Sequence, residues 1–333
     1  MSESYQRWEY SDDFYPSARE LRIPLHVGLL VITFLSTTMA GVQWIGKDPF
    51  ELSNFAAGLP YSISLLVILG SHELGHFFYS MKHRVKATLP YFIPFPIIPG
   101  MLTFGTLGAV IRTKTPVPSR RAIFDIGVSG PIIGWLLSVV VLILGFTHLP
   151  SKEYLLRIHP NYNFRTNTVP GTDGIPLAFG GTIIFRLLEF LFTNPHTEFI
   201  PPLSEIYHYP FLCVGWFGLF VTAMNLLPVG QLDGGHMIYA MFPKAHRKIA
   251  RTFFILIMAI GLLGLLPLIG IYSDFGWTGW LFWGLILFFV VRLDHPPVFD
   301  PTPIDTKRKI VGWLTILIFV VSFSPTPFII LSR

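Results

Sequence analysis

The sequence predicts an all-α, polytopic membrane protein with six or seven transmembrane helices. Its composition supports this class, because 52% of the 333 residues are hydrophobic and only 13% are charged, against about 25% charged residues in soluble proteins. Apolar stretches of about 20 residues also recur along the chain, and a helix needs about that length to cross a bilayer. The third observation is a regular alternation of basic and base-poor connections between these stretches.

The apolar stretches define seven candidate spans in order along the chain. They cover residues 25–45, 58–80, 122–147, 209–240, 250–272, 276–292 and 310–331. The run 276–292 is the shortest of them, so it decides between six and seven spans.

Lysine and arginine are concentrated in alternate connections. Residues 82–121 hold seven basic and no acidic side chains, and further basic clusters lie at 244–251 and 292–309. The positive-inside rule places these connections, and with them the N-terminus, in the cytoplasm. The longest charge-balanced connection, 148–208, is then external. We interpret the basic residues as orientation signals and expect no nucleic-acid partner.

The N-terminal residues and the cysteine content bear on the compartment. Residues 1–22 mix acidic and basic side chains, unlike a secretory signal or an Arg-rich transit peptide. We therefore expect a prokaryotic inner membrane, with the N-terminus in the cytoplasm. The single cysteine, Cys213, cannot form an internal disulfide, and its apolar surroundings predict an inert thiol.

Residues 72–76 read HELGH and lie toward the cytoplasmic end of the second span. Positions four apart share one helix face, so His72 and His76 are spaced to bind a single metal ion. Glu73 is placed to act on a water molecule at that ion without being a ligand, as in the HExxH zinc hydrolases. Ionisable side chains are rare inside membrane spans and are usually functional there. The sequence therefore predicts a zinc site within the membrane.

A catalytic zinc site normally has three protein ligands, so a third must come from elsewhere. His26 and Asp125 lie near span ends, but the dense stretch AMNLLPVGQLDGGHM at 223–237 makes Asp233 the strongest candidate. Pro228 breaks or kinks this helix, and irregular backbone at membrane depth lines a protein or water-filled cavity. His236, three residues after Asp233, remains a competing ligand.

Asn225 precedes Asp233 by eight residues. Its amide is suited to hold a substrate carbonyl or the oxyanion that forms on attack. An interhelical hydrogen bond is the alternative role.

Three separated motifs together resemble one known family. HELGH, the connector GTLGAVIRTKTPVPSRRAIFDIGVSGP and NLLPVGQLDGG are similar to those of the site-2 proteases, intramembrane zinc metallopeptidases, and particularly to the branch found in plant plastids and bacteria. The resemblance implies a three-helix catalytic core at 58–240 and one Zn²⁺ per chain. It also implies metal ligation by His72, His76 and Asp233, with Glu73 as general base and Asn225 as the group that holds the substrate or transition state.

The same resemblance implies an enzyme that cleaves within or next to transmembrane segments, with single-span membrane proteins as substrates and the bilayer as its environment. Plastid relatives tend to carry a basic residue where this chain has His236, and no inserted peptide-binding domain is visible. Two alternatives remain: a membrane zinc or proton transporter, and an inactive pseudoprotease that binds membrane proteins. The sequence predicts no oligomeric state.

The connector and the outer segment complete the expected organisation. Residues 87–115 are apolar but rich in proline, which predicts a re-entrant, β-hairpin-like loop with an edge for an extended substrate. Small residues in the span 122–147 predict close packing on the HELGH helix, with Asp125 supporting that packing. Within 148–208 we expect turns near 161–174 and a short amphipathic helix.

We interpret the histidines of the outer segment, at 159, 196 and 208, as ordinary loop residues because they lack metal-ligand spacing. The predicted units are an N-terminal tail with the first span (1–57), the catalytic core (58–240) and C-terminal helices (241–333).

Overall fold

The structure is a computed structural model that describes residues 22–98, 101–167, 177–271 and 275–330. Most of the expected N-terminal tail, at 1–21, and part of the expected turn segment, at 168–176, lie outside these residues. The described chain is mostly helical, as the sequence predicts.

Ten α-helices and two small antiparallel sheets are found among the described residues. The helices are α1 (Ile23–Trp44), α2 (Phe55–Lys82), α3 (Arg120–Thr147), α4 (Lys152–Ile158), α5 (Ile183–Phe192), α6 (Pro210–Asn225), α7 (Asp233–Met241), α8 (His246–Leu263), α9 (Gly279–Ile286) and α10 (Thr306–Ser322). The strands are β1 (Tyr91–Pro94) paired with β2 (Thr106–Val110), and β3 (Leu177–Phe179) paired with β4 (Phe328–Ile330).

Three helical segments among the described residues are long and apolar enough to cross a membrane. They are Ile23–Trp44, Leu52–Lys82 and Arg120–Thr147, and Pro210–Asn225 and Gly279–Val291 form shorter apolar helices. The other expected spans are therefore shorter as helices than as apolar stretches. Hydropathy detects apolar length but not the chain breaks within it.

The apolar stretch 209–240 is two helices rather than one. Helix α6 ends at Asn225 and α7 begins at Asp233. Between them, Pro228 has no amide hydrogen for a continuing helix. Gly230 has a φ of +53°, and a β-carbon there would overlap the carbonyl oxygen of Arg292. The helix is thus interrupted around Pro228, as the sequence predicts.

Helix α3 packs against α2, α6 and α7. Its contact with α2 is made through glycines, as the small residues predict. A β-carbon on Gly75 of α2 would lie 3.1 Å from the Cα of Gly130, and one on Gly130 would overlap the imidazole of His76. The two helices can approach this closely only because Gly75 and Gly130 have no side chains.

The outer segment contains the expected amphipathic helix, α5. Its Arg186 and Glu189 form an ion pair with 2.6 Å between Nη1 and Oε2. Phe185 and Leu188 are buried in the main core, which also includes Trp216 and Phe179.

Candidate metal centre

The two histidines of HELGH lie on one face of α2, as their spacing predicts. Their Nε2 atoms are 3.1 Å apart, and both side chains are buried. His76 Nδ1 donates a hydrogen bond to the carbonyl oxygen of Ile126 on α3 at 2.7 Å. Because a carbonyl can only accept, the proton sits on Nδ1 and leaves the Nε2 lone pair free for a metal.

Asp233 brings a carboxylate to the same point from the first residue of α7. Its Oδ2 atom lies 3.4 Å from His72 Nε2 and 3.3 Å from His76 Nε2. Two ligand atoms at about 2.1 Å from a tetrahedral zinc are about 3.4 Å apart. The three ligand atoms therefore have the chemistry and the mutual spacing that zinc requires.

The turn between α6 and α7 determines where Asp233 lies. A β-carbon on Gly234 would overlap the carbonyl oxygen of Leu226, and one on Gly127 of α3 would lie 2.9 Å from His236 Cβ. The turn and helix α3 are thus both tightly packed around the start of α7. This packing brings residue 233 to α2 although the two are far apart in the chain.

Glu73 lies beside the ligand group but outside it. Its carboxylate oxygen Oε2 accepts a hydrogen bond from the backbone N–H of Ile111 at 2.8 Å. Ile111 directly follows strand β2, so the end of the hairpin fixes the orientation of this carboxylate. Glu73 is buried, and both its position and its hydrogen bond suit a group that exchanges a proton rather than a metal ligand.

Asn225, the last residue of α6, reaches the same centre. Its Nδ2 atom lies 3.3 Å from His72 Nε2. The side chain is therefore within reach of a group bound at the three ligands.

The remaining ligand candidates lie in other networks. His26 Nδ1 is 2.9 Å from the carbonyl oxygen of Pro90, and Asp125 is bonded to His83 and Arg308. His236 Nδ1 is 2.8 Å from His295 Nε2. None of these three residues belongs to the group formed by His72, His76 and Asp233.

The outer segment contains a second group of potential ligands. His159 Nε2 and His208 Nε2 are 2.9 Å apart, and the Glu205 carboxylate lies next to both. Burial raises the pKa of the Glu205 carboxyl to about 7 and lowers the pKa of the His208 imidazole to about 3. The three-residue spacing of Glu205 and His208 was the available sequence signal, but His159 joins them only in the fold. His196 lies outside the group.

Residues 60–268 match the family model described as Peptidase family M50. The chain belongs to this family. The expected relationship to the site-2 proteases is thereby confirmed.

Several plant proteins are similar to this member of family M50. The chain is 30% identical over 273 residues to probable zinc metalloprotease EGY1, chloroplastic, of Arabidopsis thaliana, covering 81% of this chain and 43% of that protein. It is 27% identical over 252 residues to probable zinc metalloprotease EGY2, chloroplastic, of Oryza sativa subsp. japonica, covering 76% and 39%. The chain thus spans less than half the length of these relatives.

The compartment of these relatives corrects one expectation. They are chloroplastic, so the prokaryotic inner membrane inferred from the N-terminal residues is wrong. The mixed charge of the N-terminal residues was therefore not evidence against an organelle membrane. No solved structure matches the chain significantly.

Proposed function

We propose that this M50 family member is an intramembrane zinc metallopeptidase, which hydrolyses peptide bonds within or next to transmembrane segments of membrane-anchored proteins. The observation that carries the proposal is the approach of Asp233, at the start of α7, to His72 and His76 on a helix long enough to span a membrane, with the three ligand atoms 3.1 to 3.4 Å apart. The relatives named as zinc metalloproteases support the same function.

Zinc and the side chains of Glu73 and Asn225 have separate roles in the proposed reaction. When bound, zinc supplies Lewis acidity that lowers the pKa of water to about 7. Glu73 accepts the proton of the attacking water and returns it to the leaving amine nitrogen. Asn225 donates an amide hydrogen to the carbonyl oxygen of the scissile bond, where negative charge develops.

We propose that strand β2 holds the substrate in an extended form. A transmembrane helix must unwind before its peptide bonds are accessible, and main-chain hydrogen bonds along a strand edge stabilise the unwound segment. The hydrogen bond from Ile111 to Glu73 supports this role, because a segment lying along β2 would run toward the general base.

A re-entrant position for residues 87–115 is supported by their contacts with α1. Near the start of that helix, His26 contacts the carbonyl oxygen of Pro90, and at its last residue Trp44 Nε1 donates to the carbonyl oxygen of Thr103 at 2.9 Å. These two positions are about 27 Å apart along the helix axis. The loop therefore runs along most of a membrane-spanning helix.

We also propose the unit boundaries 1–57, 58–240 and 241–333, with six or seven spans around a core of α2, α3 and α6. The family match supports the start of the catalytic unit, since it begins at residue 60, although it continues to residue 268. A plastid membrane is the proposed location, on the basis of the chloroplastic relatives. Single-span membrane proteins are the proposed substrates.

The function is tested with the purified wild type and Glu73→Gln. We expect both proteins to bind the HELGH-site zinc, because Glu73 is not a ligand, and we expect only the wild type to cleave single-span substrates in detergent or liposomes. His72→Ala serves as the comparison that loses both this zinc and cleavage.

Two results would contradict the proposal. Equal cleavage by the wild type and Glu73→Gln would remove Glu73 from the mechanism. Equal zinc flux across liposomes by both proteins, with no cleavage by either, would favour a transporter.

A further inference from the structure

The group of His72, His76 and Asp233 is called the HELGH centre below. A second potential metal site lies at the opposite end of α6 from it. Helix α6 has 16 residues between the two groups, so they are separated by about 24 Å along its axis. The second group consists of His159, directly after α4, and of Glu205 and His208 in the turn that leads into α6. It shares no residue with the HELGH centre.

The second group has nearly the same ligand geometry as the first. Its two imidazole Nε2 atoms are 2.9 Å apart. Glu205 Oε2 lies 3.6 Å from His159 Nε2 and 3.8 Å from His208 Nε2. These separations bracket the distance of about 3.4 Å expected between ligands of a tetrahedral zinc.

The protonation of His208 leaves its metal-binding nitrogen free. His208 Nδ1 lies 2.7 Å from the carbonyl oxygen of Trp44 at the end of α1. Nδ1 must carry the proton to make this hydrogen bond, so the neutral imidazole directs an Nε2 lone pair at His159. The same arrangement, a ring nitrogen bonded to a backbone carbonyl, orients His76 in the HELGH centre.

Within the part of the chain that the structure describes, one oxygen of the buried Glu205 carboxylate lacks a hydrogen bond. The residue is 5% exposed, and His208 is 4% exposed. Among the described residues, Glu205 Oε2 has no hydrogen-bond partner. An unpaired carboxylate oxygen at such a position is costly. A cation between the three side chains would satisfy both Nε2 atoms and this oxygen at once.

We propose that His159, Glu205 and His208 bind a divalent metal ion, with zinc as the class that two imidazoles and a carboxylate favour. The ion has a structural role, because it joins the end of α4 to the turn before α6, while His208 also holds the last residue of α1. A water molecule would complete the four-coordinate shell.

Metal content per chain tests the proposal with the full-length protein, purified without a polyhistidine tag in zinc-buffered detergent. We expect about two zinc ions per chain in the wild type, about one in His72→Ala/His76→Ala, and about one in His159→Ala/His208→Ala. The matched control is His196→Ala, which removes an exposed histidine of the same segment and keeps the wild-type content.

The variant His72→Ala/His76→Ala leaves the second site intact, so its zinc content decides the question even when His159→Ala/His208→Ala does not fold. Absence of zinc from that variant, after incubation with the metal and removal of the excess, would overturn the proposal. So would equal zinc content in the wild type and a folded His159→Ala/His208→Ala protein. Failure of the proposed peptidase function, in contrast, would appear as missing cleavage with both ions bound.

Discussion

Gly130 sets the distance between α3 and the second histidine of the metal centre. A β-carbon at this position would overlap the His76 imidazole, whose Nδ1 is bonded to Ile126 of the same helix. We expect Gly130→Ala to displace this ligand and to weaken zinc binding by about 10- to 100-fold, as the loss of a group that orients a ligand does. Competition with a zinc chelator measures the change.

The matched control for this substitution is Gly28→Ala in α1. A β-carbon at Gly28 has no atom within 4 Å among the described residues. This variant should keep the wild-type zinc affinity. Unchanged zinc affinity in Gly130→Ala would mean that α3 shifts to accommodate the methyl group.

The proximity of His72 and His76 was predictable from their spacing alone, because a helix fixes which residues share a face. Spacing alone did not decide between Asp233, the strongest candidate for a third ligand, and His236. His236 has a suitable side chain three residues from Asp233, and only the fold directs it toward His295 instead. A ligand supplied by a separate element depends on packing that local sequence patterns do not describe.

At the scale of elements, strand β2 and helix α2 meet at one hydrogen bond, from the Ile111 amide to Glu73. Ile111→Pro removes the donor. If the proposed mechanism is correct, the carboxylate loses its orientation and cleavage slows by about 10- to 100-fold, since a hydrogen bond to a charged group contributes about 1.5 to 3 kcal/mol. Cleavage rate and bound zinc are measured on the same preparation.

Ile111→Ala is the control, because it shortens the side chain and keeps the amide. It should cleave at a rate close to that of the wild type, and both variants should retain zinc. A comparable loss of rate in both variants would indicate that the isoleucine side chain, and not its amide, supports the general base.

The elements were predictable where one physical signal dominates. The apolar length of α2 and α3 and the amphipathic pattern of α5 each produced the expected helix. The stretch 209–240 was predicted as one span with a break at Pro228, and the turn after Asn225 divides it into two helices. The contact of His159 with His208 was not predictable, because it joins two loops whose path depends on the helices between them.

At the scale of the whole molecule, Arg308 connects helix α10 to helix α3. It makes a bidentate contact with Asp125 of α3, with 2.8 Å from Nε to Oδ1 and 2.6 Å from Nη2 to Oδ2. His83, directly after α2, bonds the same carboxylate at 2.8 Å. Arg308→Ala would leave this buried carboxylate with one partner, at a cost of about 3 kcal/mol. A lower Tm in detergent is the expected result.

Arg247→Ala is the matched control, because the ion pair of Arg247 with Asp294 is exposed, with side-chain exposures of 66% and 57%. Exposed pairs contribute about 0.5 kcal/mol, so its Tm should stay close to that of the wild type. Equal Tm values for the two variants would show that α10 does not depend on Asp125 for its attachment.

The hydrogen bond between Ile111 and Glu73 has a consequence for selectivity. The hairpin proposed to bind the substrate also orients Glu73, the proposed general base. A substrate that displaces the hairpin would therefore alter the rate of the chemical step as well as its own binding. We therefore expect good and poor substrates to differ more in turnover number than in affinity.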